Sequence, residues 1–261
     1  MDMRAMWSGS ISFGLVNIPV KLFSGSESAT VDLDMLRKDD LCSIKYLKVC
    51  KDDNKEVPSS EIVKGYEYSK GEYVVLTDQD LENLNAEKSH LIDILNFIDE
   101  KEIDCRFFEK PYYLEPERSG TKAYALLREA LKRSGKVGIA SYVLRNRANL
   151  GIVKPLDKML LLNGIRYNTQ VRSFGELNLP EGENIKDQEI KLALTLIDQL
   201  SVPFEPQNYK DTYREELETL IEEKAQHIER KPPEKQVQRA QVIDLMALLK
   251  ESLKKEQKKA A

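Results

Sequence analysis

Residues 128–172, REALKRSGKVGIASYVLRNRANLGIVKPLDKMLLLNGIRYNTQVR, decide the fold class of this 261-residue chain. Val137, Ile139 and Val143 alternate along one apolar run, Leu150 and Ile152 continue in a second, and Met159 to Leu162 make a third. Asn146 to Asn149 and Pro155 to Asp157 separate them. Short alternating runs divided by turn residues predict an antiparallel three-stranded meander. The stretch carries ten Lys/Arg against Glu129 and Asp157, a local excess of +8 in a chain of net charge −4. Basic groups held on a sheet keep their mutual spacing, which a phosphate backbone can use. A solvated basic rim on a half-buried sheet accounts for the same charges at least as simply.

Working upstream, Thr121 to Ser134 predicts an amphipathic helix with Leu127, Ala130 and Leu131 on one face, stopped by Gly135. Before it, KPYYLEPERSG reads as a loop punctuated by Pro and Gly. Thr77 to Asp80 opens a helix, Thr77 as N-cap and Asp80 three residues on. At the N-terminus, Ile11, Phe13 and Leu15 alternate on odd positions and Val16, Ile18, Val20 and Leu22 on even ones. That change of parity predicts a β-bulge near Leu15–Val16, as in a strand bending into a barrel. Pro19 then requires an edge or an unpaired position.

Leu33 to Leu36 suggest a short strand. Arg37, Lys38, Lys45, Lys48 and Lys51 follow, with Ile44 and Tyr46 between them, and Asn54 offers a positive φ in the turn. GYEYSKGEYVVL predicts a hairpin turning at Ser69-Lys-Gly. Such charged ribbons have too little apolar material to form a core, so they should project from one.

Downstream, Ile190 to Leu200 predicts a helix burying Ile190, Leu194 and Ile197, and Asn208 to Gln226 another, striped by Tyr209, Tyr213, Leu217, Leu220 and Ile221. Residues 176–230 carry fourteen acids and six bases, whereas 231–261 carry eight bases and four acids. After the Pro232-Pro233 break, Val242, Met246, Leu249 and Leu253 recur at i, i+4, i+7 and i+11, a candidate docking face for a partner protein.

Catalytic and metal constellations are missing from the sequence. His90 and His227 stand far apart, and Cys42 and Cys50 form no CxxC. Three cysteines suggest free thiols in a reducing cytoplasm, and neither a membrane-spanning run nor a signal-peptide core is present. These features favour a binding protein over an enzyme.

WSGSISFGLVNIPVKLFS (7–24), EVPSSEIVKGYEYSKGEYVVLTDQDLENL (56–84), PYYLEPERSGTKAYALLREALKRSGKVGIASYVL (111–144) and YREELETLIEEK (213–224) resemble the bacterial Ku family, in order, over roughly residues 4–225. The resemblance implies a mixed, mainly β fold: a β-barrel, a projecting bridge at about 37–75 and a helical arm at about 186–230. Together these make a core over 1–230, followed by a linker and a short basic extension over 231–261. It implies a homodimeric ring around double-stranded DNA ends, in cytoplasm and nucleoid, with no cofactor and no membrane partner. It also implies recruitment of an ATP-dependent DNA ligase in non-homologous end joining. On this view Arg37, Lys38, Lys45, Lys48 and Lys51 on the bridge and Arg145, Arg147 and Lys154 on the meander contact DNA. Val242, Met246, Leu249 and Leu253 would then help dock the ligase. Arg37 stands where family members often carry His, and stays charged at every pH of interest. A protein-binding adaptor barrel with no DNA role is the alternative.

Overall fold

The computed structural model describes residues 3–27, 31–84, 90–180 and 185–227; the expected partner-binding residues Val242, Met246, Leu249 and Leu253 lie outside these. The chain divides into two compact units, one of Met1–Ser28 with Asp32–Phe174, the other of Ala29–Val31 with Gly175–Ala261.

The first unit holds the meander where the apolar pattern placed it. Strands β7 (Lys136–Leu144), β8 (Arg147–Leu156) and β9 (Met159–Ile165) pair antiparallel in sequence order. They form part of a closed barrel of order β1-β2-β6-β9-β8-β7-β5. The remaining staves are β1 (Trp7–Phe13), β2 (Val16–Ser24), β5 (Leu91–Asp99) and β6 (Phe108–Pro116). The barrel closes through a parallel seam, Ser10 beside Leu91 and Ile11 beside Ile92. Parallel neighbours need a long crossover, and the excursion between β2 and β5 is that crossover.

Three sequence expectations for these staves need correction. The parity change at Leu15–Val16 is a two-residue hairpin turn and not a bulge: Phe13 pairs with Val16 and Ile11 with Ile18. Gly14 supplies φ +58° and Leu15 points wholly into solvent, so an apolar residue in the turn mimicked a continuous strand. The supposed loop at 110–120 contains β6, whose prolines sit where a ladder tolerates them. Pro111 closes a register shift opposite β9 and Pro116 ends the strand. β6 also stops opposite Val20, one residue short of Pro19, so the nitrogen of Pro19 meets no ladder on that side. Third, Ala130 is exposed; Tyr124, Leu127 and Leu131 form the buried stripe of α2 (Thr121–Ser134).

Inward side chains fill the barrel. Ile11, Ile18, Val20, Leu22, Ile92, Ile94, Leu114, Ala140, Tyr142, Val153, Leu160 and Leu162 join the stripe of α2 in one buried cluster. The hydroxyl of Tyr124 accepts from the Leu160 amide at 2.6 Å and donates to the Leu114 carbonyl at 2.5 Å, pinning α2 to paired residues of β6 and β9. Gly135 ends α2 at φ +66° and its amide caps the Leu131 carbonyl at 3.0 Å. A second cluster of Val137, Ile152 and Ile165 gathers Ile98, Ile103, Phe107, Phe108, Ile139 and Leu150 around it. Alternation along β7 and β8 sets Ile139 and Ile152, which pair, on the face away from Ala140 and Val153.

Residues 32–76 differ in kind. No residue among them is buried. In place of a strand at Leu33–Leu36 there is a single bridge, Leu36 to Ser43, and a second joins Val49 to Glu56. Between them the extended segment 43–49 bonds to both flanks: the Ile44 amide to the Met35 carbonyl, and the Val57 amide to the Lys48 carbonyl. Its two ends turn at Leu41 (φ +58°) and, as the sequence predicted, Asn54 (φ +55°). The hairpin β3 (Lys64–Ser69)–β4 (Glu72–Leu76) turns at Gly71, φ +83°. The helix α1 (Asp78–Asn83) carries the expected cap, the Asp80 amide donating to the Thr77 hydroxyl at 3.1 Å and the Thr77 amide to the Asp80 carboxylate at 2.9 Å.

The second unit contains α3 (Asp187–Leu200) and α4 (Thr212–Ala225). Ile190, Leu194 and Ile197, expected to be buried, are exposed: the apolar stripe exists, but none of the described residues covers it. α4 begins at Thr212, four residues after the expected start at Asn208, behind an N-cap at Asp211 whose carboxylate accepts from the Arg214 amide at 3.1 Å; Pro206–Asn208 is a separate 3-10 turn. Among the described residues no helix is long and apolar enough to cross a membrane.

Candidate nucleic-acid interface

The basic residues picked out by sequence fall into two sets. The first lies on residues 37–51. Lys38, Lys45, Lys48 and Lys51 are exposed and make no ion pair among the described residues. Arg37 is committed locally: it donates to Asp40 through Nε and Nη2, and that contact holds the Asp40 carboxyl below its usual range, helped by the Cys42 amide. Asp39, Asp40, Asp52 and Asp53 sit in the two turns that flank the extended stretch, whereas Lys45 and Lys48 occupy the stretch itself. Lysine charges therefore alternate there with Ile44, Tyr46 and Leu47, all exposed.

The second set lies at the β7–β8 hairpin. Arg145 and Asn146 form its turn with φ +53° and +60°, the paired left-handed conformation of a tight I′ hairpin, and Leu144 pairs with Arg147 just inside. An arginine in that conformation carries a steric cost that asparagine largely escapes. The turn points Arg145 and Arg147 toward a cavity of about 610 Å³ at the barrel rim, lined also by Lys110, Arg166, Tyr142 and Glu109. Ser24 and Met6 border the same cavity, so the excursion to 32–76 leaves the barrel beside it.

Lys110 and Arg166 were not singled out from sequence. Lys110 reaches the cavity through the β6 register shift, in which Glu109 and Lys110 together face Gly164. Bulges re-aim side chains in this way, and a segment read as loop hides the effect. Arg166 follows the last residue of β9 and is clamped, donating to the Phe108 carbonyl at 2.7 Å and the Arg106 carbonyl at 3.0 Å, with Glu109 at 3.3 Å. Lys154 does not join them. Its side chain is 25% exposed and ion-paired to Glu100, so its charge is already spent inside the fold, and a partner 54 positions away is invisible to local pattern.

Other charges have structural roles. Arg106 makes a double contact to Asp104 at 3.0 Å, which lowers that carboxyl to about 2. The same guanidinium lies 5.7 Å from the centre of the Phe174 ring. Among the described residues there is no cluster of three or more His, Cys, Asp or Glu able to hold a metal ion, and Cys42, Cys50 and Cys105 are free thiols.

The family described as the Ku70/Ku80 beta-barrel domain matches residues 12–192. The chain is 43% identical over 256 residues to the non-homologous end joining protein Ku of Bacillus subtilis, covering 97% of this chain and 82% of that one. It is 40% identical over 262 residues to the protein of the same name in Cupriavidus necator, covering 96% and 77%. With the Coxiella burnetii protein of that name it shares 34% over 265 residues, covering 99% and 97%. The matched segment takes in the last two residues of β1 and all of β2 to β9, and the relatives align along nearly the whole chain; this protein belongs to the Ku family.

Proposed function

We propose that two copies of this chain join through residues 32–76 into a ring that accepts the end of a DNA duplex, as part of non-homologous end joining. The observation that carries the reading is the surface of that segment. Leu33, Met35, Leu47, Val63, Tyr66 and Tyr73 are each at least half exposed, on a piece of chain with no buried residue. A two-stranded hairpin is marginal in water by itself, and so large an apolar surface marks an interaction site. A second copy offers the same surface, and a two-fold pair is the commonest closed arrangement. Lys38, Lys45, Lys48 and Lys51 then line an arch of phosphate-binding charges, continued by Arg145 and Arg147. A ring needs backbone contacts only, so it binds without reading sequence.

The relatives are named for end joining, which supports this role over that of an adaptor barrel. No nucleophile–base pair serves this function, and the chain acts as a binder, not an enzyme. Passing the end to an ATP-dependent DNA ligase completes the proposal, with Val242, Met246, Leu249 and Leu253 as the docking face.

The test compares linear duplex with the same DNA covalently closed, at rising salt. Linear DNA should bind far more tightly, and affinity should fall roughly tenfold or more for a severalfold rise in salt. The solution mass should correspond to two chains, with or without duplex. Equal affinity for the closed form, or a single chain per particle, would overturn the ring.

A further inference from the structure

The cavity at the β7–β8 hairpin is concave and equipped with donors, unlike the open lysine surface of 37–51. Lys110, Arg145 and Arg147 face it and have no acidic partner among the described residues, while the one acid on its wall, Glu109, is held by Arg166. Arg166 itself is fixed by two backbone carbonyls, so that wall is rigid.

Part of the lining is Tyr142. Its side chain is 6% exposed, and its ring lies against Gly151 and its hydroxyl against Gly164, where a side-chain carbon would come within 3.0 and 3.1 Å of the tyrosine. Those two glycines pair across β8 and β9 and make the room the phenol occupies. Burial raises its pKa far above the ordinary value, so it stays a protonated donor. Yet its hydroxyl finds no hydrogen-bond partner among the described residues. Tyr142 lines the cavity, so an acceptor that enters there can reach this hydroxyl. It shares that cavity with Lys110, Arg145 and Arg147, and its proton is free for an acceptor from outside the chain.

We infer that this cavity is a phosphate site, in which Lys110, Arg145 and Arg147 supply charge and the Tyr142 hydroxyl donates a fixed hydrogen bond. Its volume lies within the range of small-ligand pockets, so a phosphate can enter together with the group that carries it. That group is either the terminal nucleotide of a DNA strand, in which case the inference rests on the end-binding role above, or a free phosphate compound. An internal phosphodiester on a smooth duplex has less need of a recess.

Inorganic tripolyphosphate, titrated calorimetrically into the full-length chain at low salt without DNA, tests the site directly. Saturable binding is expected, weakened about tenfold by Tyr142→Phe, which removes one hydrogen bond to a charged group. Arg147→Gln should weaken it at least as much, and Lys122→Gln, exposed on α2, should leave it unchanged. No saturable binding, or equal affinity in all four proteins, overturns the inference even if linear duplex still binds. Duplexes with 5′-phosphate or 5′-hydroxyl ends then separate the sources. A preference for phosphate that Tyr142→Phe abolishes assigns the strand terminus. Equal affinity for both, with tripolyphosphate still bound, assigns a free phosphate compound. Loss of all duplex binding with tripolyphosphate retained would break the end-binding role and leave the site standing.

Discussion

The barrel and the segment at 32–76 are built from similar residues and put them to opposite uses. Ile, Val, Leu and Tyr on the staves vanish into one interior, while the same residue types on the excursion remain in solvent. The barrel satisfies itself: every stave has two neighbours, and its helix is locked on by a hydroxyl. The excursion makes few hydrogen bonds, in two bridges and one hairpin, and borrows no interior from the staves. Stability is thus concentrated in one region, and the other keeps its apolar side chains in solvent.

The largest effect that tests this contrast is expected inside the barrel. Leu162→Ala empties a fully buried position and should cost roughly 2–5 kcal/mol of unfolding free energy in a denaturant titration; a loss below the low end would mean the interior is looser than described. Tyr124→Phe comes next. It leaves the Leu160 amide and Leu114 carbonyl without their buried partner and should cost about 1–3 kcal/mol, with the barrel spectrum otherwise native. Smallest for the isolated chain is the pair Tyr66→Ser and Tyr73→Ser. At positions 66% and 60% exposed, they should change single-chain stability by less than about 0.5 kcal/mol each. Their effect should appear instead in sedimentation, as weaker association of two copies. Lost single-chain stability with unchanged association would reverse the contrast.

Where local chemistry is sufficient, the sequence is a faithful guide. The three runs of the meander, the glycine stop of α2 at Gly135, the Thr77–Asp80 cap and the left-handed Asn54 each depend on neighbours within a few positions. Leu15 is a local miss: its apolar side chain looked like strand, although Gly14 beside it offers the positive φ of a two-residue turn. Elsewhere the reading fails where distant chain decides. β6 was concealed by Pro111 and Pro116, tolerable only because of where their neighbours stop. The stripe of α3 was legible, but its burial was not, since none of the described residues covers Ile190, Leu194 and Ile197. Of the basic residues, Arg145 and Arg147 could be found by pattern; that Lys110 joins them, and that Glu100 claims Lys154, follows from closure of the barrel.

The parallel seam of β1 and β5 has an outcome for how the molecule tolerates change. Chain leaves the barrel after Ser24 and re-enters at Leu91, next to Ser10, which is itself paired with Pro19. Exit and return therefore share one end of the cylinder, only a stave apart. An appendage hung from such a splice can lengthen, shorten or be exchanged at a modest entropic charge while the staves keep their register, and any pull upon it is delivered to that junction first.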